Sequence, residues 1–293
     1  RNRGRSRPGS RDPARLVNAP LTSEAVAQSL AHWQYGPSPH VGHEIECVSA
    51  TGSTNDDLLM AGTGGAPSGL VRFAEQQTRG RGRRGDAWVS PAGSNLLFSV
   101  LLRPAANISQ WSRLPLIAGV ALCRALERLL SPAVLDSARL RLKWPNDLLA
   151  GNRKLAGILV ESRVGAREGF VVLGVGMNVN LPASAWPEPL CDEVTSLQDI
   201  NGGRSFSRPE LAGAVLAELD RWYPAGLNDA VFSTVLQDFR QRCALRGKRI
   251  TAQSGDSLHS GVVADIGPLG ELLVDLDTGG RVAMVTADRV RLV

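Results

Sequence analysis

The sequence predicts an α/β protein in which one mixed β-sheet is flanked by helices and is followed by a small all-β unit. Through residue 246, strand-like runs of apolar residues interleave with segments of helical periodicity. From Gly247 onward the pattern changes to short strands separated by glycine and aspartate turns, which is typical of a small closed barrel. A length of 293 residues also exceeds the usual size of a single core and favours two domains.

Residues 21–246 are predicted to form the larger domain and residues 247–293 the smaller one. In the larger domain, strands are expected at 45–49, 70–75, 95–103, 140–144, 154–160 and 170–179. Helices are expected at 22–33, 53–60, 114–130, 207–222 and 228–245. In the smaller domain, strands are expected at 248–252, 261–266, 271–276, 281–286 and 289–293.

Local chemistry supports several of these boundaries. The strand at 140–144 is expected to end at Pro145, because proline cannot donate a hydrogen bond to a sheet. Ser207 and Glu210 have the spacing of a capping box, and Pro209 falls in the first turn of the helix that they would open. The helices at 207–222 and 228–245 are therefore interpreted as packing helices.

The formal net charge of +5 belongs to the N-terminal end and not to the body of the chain. Residues 1–15 hold six arginines against one acidic residue, Asp12, which accounts for the whole excess. This stretch is rich in proline, glycine and serine and poor in apolar residues, so residues 1–20 are predicted to be a disordered basic tail. Weak contact of the tail with RNA or anionic surfaces stays open as an alternative to simple solvation.

The four cysteines predict reduced thiols in a cytoplasmic protein. They lie far apart, without a CxxC pair and without histidine at metal-ligand spacing, so neither disulfides nor structural zinc are expected. The apolar run 116–130 carries charged residues at helical spacing and is interpreted as an amphipathic helix, not a membrane span. The basic N-terminus is not followed by an apolar segment, so no signal peptide is expected.

The segment 76–85 places four arginines and three glycines between two strands. Neither core packing nor helix propensity calls for these residues there. Glycines let backbone amides approach an anion closely, and guanidinium groups give bidentate hydrogen bonds to phosphate or carboxylate oxygens. An RNA-binding stretch is an alternative, but the flanking Phe73 and Trp88 favour an ordered loop that closes over a ligand.

Two lysine-containing clusters point to the same anion. Lys143-Trp144-Pro145-Asn146-Asp147 ends a strand with a cation, a rigid turn and two oxygen ligands, which can place Lys143 on a phosphate and Asn146 or Asp147 on Mg²⁺. Lys154 lies at the mouth of an apolar strand on the opposite arm of a hairpin-like unit. The alternative for the first cluster is a solvated turn whose tryptophan packs in the core.

Two further segments offer polar groups or close backbone approach. Ser53-Thr54-Asn55 at a helix start brings together hydroxyl, amide and backbone donors, which suit a small polar group. Residues 174–180 carry glycines within a strand, where they indicate close approach of a ligand or a backbone, followed by Asn178 and Asn180. This second segment is not a GxGxxG motif before a helix, so a dinucleotide-binding fold is not predicted.

These segments, in this order, closely resemble the biotin protein ligase family: S-T-N, Q-T-x-G-R-G-R with a following tryptophan, K-W-P-N-D, K-L-A-G-I-L-x-E and G-x-G-x-N-V. The resemblance spans residues 53–197 and ends on Thr195-Ser196-Leu197. It implies a catalytic domain like those of class II aminoacyl-tRNA synthetases and biotin-lipoate ligases, with a small SH3-like C-terminal β-barrel. The N-terminal DNA-binding domain of some relatives is not expected, because the tail and one helix are all that precede Ser53.

The resemblance also implies the reaction. ATP would activate biotin to biotinyl-5'-AMP with the help of Mg²⁺, and the biotin would pass to a lysine of the biotin carboxyl carrier domain of an acyl-CoA carboxylase. The protein would be a monomer or a ligand-dependent homodimer, with no role for DNA or membranes. A lipoate ligase shares the fold and the adenylate chemistry, but it would not be expected to carry GRGRRG together with KWPND.

Residue roles follow from the resemblance. Biotin contacts are implied for Ser53, Thr54, Asn55, Gln77, Arg81, Gly82, Arg83, Lys154 and Gly157. Nucleotide contacts are implied for Arg81, Arg83, Trp88, Lys143, Asn146, Lys154 and Asn178. The catalytic group comprises Lys154, Arg83, Lys143 and Asp147, with Asn146 as the Mg²⁺ ligand. We further hypothesise that Asp147 orients the attacking lysine or accepts its proton. Arg79 and Asp86 depart from the usual pattern of the family and redistribute charge in the loop.

Overall fold

A computed structural model describes residues 20–36, 39–165, 169–188 and 190–293. Within them the chain forms a seven-stranded mixed sheet and a five-stranded antiparallel sheet, with helices packed against the first. The predicted basic tail lies outside the described residues, apart from residue 20, and so does part of the turn after Val164. The predicted α/β architecture is confirmed.

The seven-stranded sheet contains every strand that was predicted for the larger domain. Its strands are β1 (Glu44–Val48), β2 (Leu70–Ala74), β3 (Leu96–Leu102), β4 (Leu140–Lys143), β5 (Asp147–Ala150), β6 (Arg153–Val164) and β7 (Gly169–Met177). Their order is β1-β2-β3-β7-β6-β5-β4. The pair β1 and β2 is parallel, and the other neighbours are antiparallel. Strand β5 was not predicted, because its four residues directly follow a turn.

Eight α-helices accompany the sheets within the described residues. They are α1 (Ser23–Trp33), α2 (Thr54–Thr63), α3 (Leu114–Leu129), α4 (Pro132–Ala138), α5 (Leu190–Glu193), α6 (Leu197–Ile200), α7 (Arg208–Trp222) and α8 (Asp229–Arg242). Helices α4 to α6 were missed, because four to seven residues are too few to show helical periodicity. No helix in the described ranges is long and apolar enough to cross a membrane.

Helix α3 lies at the centre of the core and packs against α7, α8 and β6. It is apolar over most of its surface, which agrees with its burial from several sides. Cys123 on this helix is fully buried, and burial raises the pKa of its thiol to about 12, so it behaves as a small core residue. Arg124 on the same helix makes an ion pair with Asp238 of α8, with Nε 2.8 Å from Oδ2.

The C-terminal sheet consists of the five strands predicted for the smaller domain. They are β8 (Arg249–Ser254), β9 (Ser257–Ile266), β10 (Leu272–Leu276), β11 (Arg281–Met284) and β12 (Arg289–Leu292), in the order β11-β10-β9-β8-β12. Because β11 and β12 form the two edges of the sheet, closure into a barrel stays a prediction. The domain boundary near residue 246 stays one as well.

Trp144 and α3 hold the C-terminal sheet beside the larger sheet. The buried Trp144 donates a hydrogen bond from Nε1 to Gly270 O at 2.9 Å, in the turn between β9 and β10. Gly270 also lies against Leu116 of α3 and Phe232 of α8. This docking brings β12 and the turn before it next to the arginine-glycine loop.

Gly213 sets the distance between α1 and α7. A Cβ at this position would lie 2.2 Å from Ser29 Oγ and 2.6 Å from the backbone nitrogen of Leu30, both in α1. Because the backbone of α1 cannot rotate away, Gly213→Ala should separate the helices and lower the free energy of unfolding by about 1–3 kcal/mol. Urea denaturation measures this change. Gly64→Ala, where the nearest atom is 3.4 Å away, should be close to neutral, and equal stability of both variants would contradict the proposed contact.

Candidate functional site

One cleft of about 1110 Å³ brings the predicted site residues together. Its floor is formed by strands β3, β6 and β7, and its walls by the start of α2, the arginine-glycine loop and the edge of the C-terminal sheet. All predicted site residues line it: Ser53, Thr54, Asn55, Gln77, Arg81, Gly82, Arg83, Trp88, Lys143, Asn146, Asp147, Lys154, Gly157 and Asn178. Their individual roles stay predictions.

A neutral polar pocket lies at the start of α2. Gln77 Oε1 accepts hydrogen bonds from the backbone nitrogen of Thr54 at 2.8 Å and from its hydroxyl at 3.1 Å. Ser99 Oγ on β3 lies 2.7 Å from Thr54 Oγ1 and 2.6 Å from Asn55 Oδ1. Ser53 is the N-cap residue of α2, but its hydroxyl makes no capping hydrogen bond. The pocket therefore offers several oriented neutral donors and acceptors that are buried from water.

Asn55 is held in one orientation above the central strand. A Cβ on Gly174 of β7 would lie only 2.2 Å from Asn55 Oδ1, so only glycine leaves room for this amide. Its Nδ2 donates to Glu161 Oε2 at 2.7 Å, whereas its Oδ1 faces Ser99. Glu161 and Ser99 thus fix which end of the Asn55 amide faces each side of the pocket.

The arginine-glycine loop is a folded hairpin anchored by Arg81. Within the hairpin, Trp88 N donates to Gly80 O at 2.9 Å. The Arg81 guanidinium binds Asp56 of α2 through two hydrogen bonds of 2.9 and 2.7 Å and lies 3.1 Å from Glu161 of β6. The hydrogen bonds with Asp56 raise the pKa of Arg81 above its ordinary value and lower the pKa of Asp56. The charge of Arg81 is thus compensated within the protein.

The two other arginines of the hairpin have different partners. Arg83 reaches the C-terminal sheet, where Nη2 donates to Thr286 Oγ1 at 2.9 Å and Nη1 to Ala287 O at 3.3 Å. Arg84 pairs with Asp86 inside the loop at 2.7 Å. Asp86, one of the two departures from the family pattern, therefore neutralises an arginine next to it.

Arg79, the second departure, lies outside the hairpin against Gly52. A Cβ on Gly52 would lie 2.7 Å from Arg79 Nη2. The backbone nitrogen of Arg79 also donates to Gly52 O at 2.8 Å. Its guanidinium is thus placed on the α2 side of the loop, and Arg79 does not line the cleft.

Lys154 and Asp147 form a charged pair at the end of the cleft opposite the start of α2. Lys154 Nζ lies 2.8 Å from Asp147 Oδ1 and 5.5 Å from the centre of the Trp88 ring. Asp147 Oδ1 is buried and has no well-aligned hydrogen bond in the described part of the chain, so the pair is held by charge attraction. The pairing of β5 with β6 sets Asp147 opposite Gly157, where a Cβ would lie 3.1 Å from Lys154 Nζ.

All five residues of the KWPND turn border the cleft. Lys143 ends β4 directly opposite Asp147. Asn146 donates Nδ2 to Ile158 O at 2.8 Å, so its Oδ1 is the atom that remains for a ligand. Trp144 is buried in the core and borders the cleft together with Lys143, Asn146 and Asp147. Its burial agrees with the alternative of a turn whose tryptophan packs in the core, so the ligand roles of the other three residues stay predictions.

Several buried polar atoms around Trp88 lack partners. The Trp88 indole lies on Gly176 of β7, where a Cβ would be 2.6 Å from Cε2. Asn178 donates Nδ2 to Thr195 O at 3.0 Å. Among the described residues that line the cleft, Trp88 Nε1 and Asn178 Oδ1 are buried without a hydrogen-bond partner. Because such atoms are costly unless they are satisfied, they indicate a surface that a ligand completes.

The sequence analysis assigned no role to four residues that organise the cleft: Asp56, Ser99, Glu161 and Asn95. Asn95 is buried, accepts a hydrogen bond from Val179 N at 2.9 Å and donates one to Ser90 Oγ at 3.1 Å. It thereby ties the segment after Trp88 to the segment after Asn178. Ser99 carried a weak signal as a polar residue within an apolar strand, and Glu161 is the last residue of the K-L-A-G-I-L-x-E motif.

Comparison with known proteins finds relatives that agree in family. The chain matches the Biotin/lipoate A/B protein ligase family over residues 48–178. It is 37% identical to a biotin--[acetyl-CoA-carboxylase] ligase of Mycobacterium tuberculosis over 254 residues, which cover 84% of this chain and 88% of that one. It is 34% identical to a protein of the same name from Paracoccus denitrificans over 238 residues, which cover 80% and 95%.

A solved structure supports the same similarity. The fold resembles the biotin protein ligase from Aquifex aeolicus in complex with biotin and ATP, with a TM-score of 0.71 and 25% sequence identity. The alignment covers 86% of this chain and 100% of that one.

The packing of Trp88 on Gly176 can be tested directly. A Cβ on Gly176 would overlap the indole, so Gly176→Ala should displace Trp88 and change the environment of its Nε1 proton. The six tryptophans give separate indole signals in a ¹H–¹⁵N spectrum, and Trp88→Phe identifies the signal of Trp88. We expect a shift of that signal in Gly176→Ala and none in the control Gly64→Ala. An unmoved Trp88 signal would argue against the contact.

Proposed function

Because the chain belongs to the biotin protein ligases of the biotin/lipoate A/B protein ligase family, we propose that this cleft joins biotin to AMP and passes the biotin to a carrier lysine. The observation that carries the proposal is the division of the cleft into two ends. A neutral polar pocket lies at the start of α2, and cations converge around Lys154. This division suits a substrate with a neutral ureido ring and a carboxylate that must meet a phosphate.

The pocket at the start of α2 is proposed to hold the ureido group of biotin. Ser53, Thr54, Asn55 and Gln77 supply neutral donors and acceptors, which suit an uncharged ligand. The positive charge of Arg81 is compensated by Asp56 and Glu161, so this end offers no unpaired cation to an anion. We propose that Arg81 acts mainly by holding the loop, while Gly82 and Gly157 allow close approach of the loop and of strand β6 to the substrate.

The first half-reaction is proposed to take place beside Lys154. The biotin carboxylate attacks the α-phosphate of ATP, and pyrophosphate leaves, so several negative charges meet at one point. Lys154, Lys143 and Arg83 line this part of the cleft and can stabilise them without a protein nucleophile. Loss of Lys154 removes the cation nearest to this point.

The adenine of the nucleotide is proposed to lie against Trp88. An adenine ring that packs on the indole would come within reach of Asn178 Oδ1, which is buried without a partner in the described residues. An amide oxygen accepts a hydrogen bond from an exocyclic amine, so contact with adenine would satisfy this atom. Asn95 would support the arrangement through its hydrogen bonds on both sides.

Magnesium is proposed to bind on the phosphate side of the same end. The donor set fits, because Asn146 retains Oδ1 and Asp147 adds carboxylate oxygens next to it. Mg²⁺ prefers oxygen ligands, keeps several waters and takes few ligands from the protein when phosphates are present. When bound, it would neutralise charge on the phosphates of ATP.

The acceptor is proposed to be a lysine of the biotin carboxyl carrier domain of an acyl-CoA carboxylase. The protein would act in the cytoplasm, which agrees with four cysteines that are all free thiols. It would do so as a monomer or as a homodimer that forms with ligand.

Incubation with biotin, Mg-ATP and an acceptor carrier domain, followed by avidin blotting, tests this function. We expect labelled carrier with the wild-type protein and roughly 10²–10³-fold slower labelling with Lys154→Ala. ATP- and biotin-dependent pyrophosphate release in the same assay separates the ligase from an RNA-binding protein. Absence of both pyrophosphate release and labelled carrier would contradict the proposed function.

Asp147 is predicted to act in the second half-reaction. A free lysine amine has a pKa of about 10.4, so the carrier lysine must lose its proton in place, and Asp147 is the carboxylate beside Lys154. In Asp147→Asn, single-turnover transfer from preformed biotinyl-AMP should slow by about 100-fold. Biotinyl-AMP synthesis is measured separately, because this change also frees Lys154 from its partner. Unchanged transfer would exclude the role.

Arg83 is predicted to keep the loop closed over the intermediate. Arg83→Gly removes both hydrogen bonds to Thr286 and Ala287. At about 1 kcal/mol each, their loss should speed release of biotinyl-AMP roughly tenfold or more and increase labelling of bystander proteins. Arg84→Gly is the matched control, because it breaks only a pair within the loop. If biotinyl-AMP is retained equally well in both variants, the contact with the C-terminal sheet does not hold the loop.

A further inference from the structure

Lysine is confined to the cleft in this protein. Only three of the 33 basic residues are lysines, Lys143, Lys154 and Lys248, and the others are arginines. All three lysines line the cleft that contains the predicted site. The proposed function already uses Lys143 and Lys154, whereas Lys248 has no part in it.

Lys248 lies where the chain enters the C-terminal sheet. Its backbone is fixed, since its nitrogen donates to Leu245 O and its carbonyl oxygen accepts from Val263 N, both at 2.9 Å. The residue is exposed at the cleft margin, directly before β8. In the described part of the chain its side chain makes no ion pair or hydrogen bond, whereas its neighbour Arg249 pairs with Asp277 and Arg246 with Asp265.

Lysine and arginine side chains differ in their reactivity towards an acyl adenylate. An acyl adenylate is attacked by unprotonated amines, whereas an arginine guanidinium stays protonated and does not attack. Arginine side chains at the cleft margin, such as Arg289 and Arg291, are therefore inert towards biotinyl-AMP. Lys248 carries the side-chain amine at the margin that is neither paired nor assigned to the nucleotide.

We propose that Lys248 is a self-biotinylation site, an inference that rests on the proposed function as the source of biotinyl-AMP. Lys248 Nζ first loses one proton to water, because only the unprotonated amine attacks, and then adds to the carbonyl carbon of the mixed anhydride. A C–N amide bond forms, the C–O bond to the phosphate breaks, AMP leaves with the electron pair, and the second proton of the amine passes to water. When no carrier is present, this step consumes the intermediate and leaves one biotin on the enzyme.

The test incubates the full chain with biotin and Mg-ATP, without carrier, and measures intact mass and peptide masses. We expect one biotin per chain, attached to Lys248, and loss of this adduct in Lys248→Arg. Lys248→Arg keeps the positive charge and should label added carrier at the wild-type rate. An adduct at another residue, or no adduct on Lys248 while biotinyl-AMP forms, would overturn the proposal. If no pyrophosphate is released and no carrier is labelled, the proposed function itself has failed.

A mixing experiment separates a site beside the cleft from random labelling. An isotope-labelled Lys154→Ala chain, which should make biotinyl-AMP roughly 10²–10³-fold more slowly, is incubated together with the active wild-type chain. If Lys248 reacts at the cleft where the intermediate forms, only the active chain should carry the adduct. Equal labelling of both chains would show that Lys248 is a bystander amine reached by released biotinyl-AMP, and the proposal would be wrong.

Discussion

The cleft depends on the absence of side chains along one central strand. Gly174 and Gly176 of β7 face the cleft, and a Cβ at either position would overlap the side chain above it, Asn55 in the first case and Trp88 in the second. Residues two apart on a strand face the same side and lie about 7 Å apart. One strand therefore sets the spacing between the neutral pocket and the tryptophan surface. Because both contacts lie on the same strand, that strand determines where Asn55 and the Trp88 indole can pack in the cleft.

Charge is distributed along the cleft to match this spacing. Arginine is abundant in the loop, yet Arg81 is compensated by Asp56 and Glu161, and Arg84 by Asp86. Because Arg81 is paired with two carboxylates, no excess positive charge remains near the start of α2. The opposite end keeps Lys143 beside the Lys154–Asp147 pair, where the phosphates of the nucleotide are proposed to lie. A count of basic residues in the loop would therefore overstate its positive potential, since position and pairing decide where an anion is favoured.

Functional residues that lie close together in the sequence could be predicted from it. Contacts between residues far apart in the sequence could not. The glycine-rich strand, the KWPND turn and the loop are local patterns, and the cleft unites their residues. The contacts of Arg81 with Asp56 and Glu161 join residues 25 and 80 positions apart, and that of Asn55 with Glu161 joins residues 106 apart. Such pairs follow from strand order, which periodicity does not give. Strand β5 escaped prediction for a local reason, because a four-residue strand next to a turn shows too little alternation.

Trp144 links the phosphate side of the cleft to the position of the C-terminal sheet. Its neighbours Lys143 and Asn146 line the cleft, while its own indole is buried and hydrogen-bonded to Gly270 O. The same sheet supplies Thr286 and Ala287 to Arg83 of the loop. The C-terminal sheet is therefore bound by the turn that carries the phosphate-side residues. The same sheet binds the loop that covers the cleft. A shift of the sheet would disturb both together, so water exclusion and the placement of the cations both depend on how the C-terminal sheet is docked.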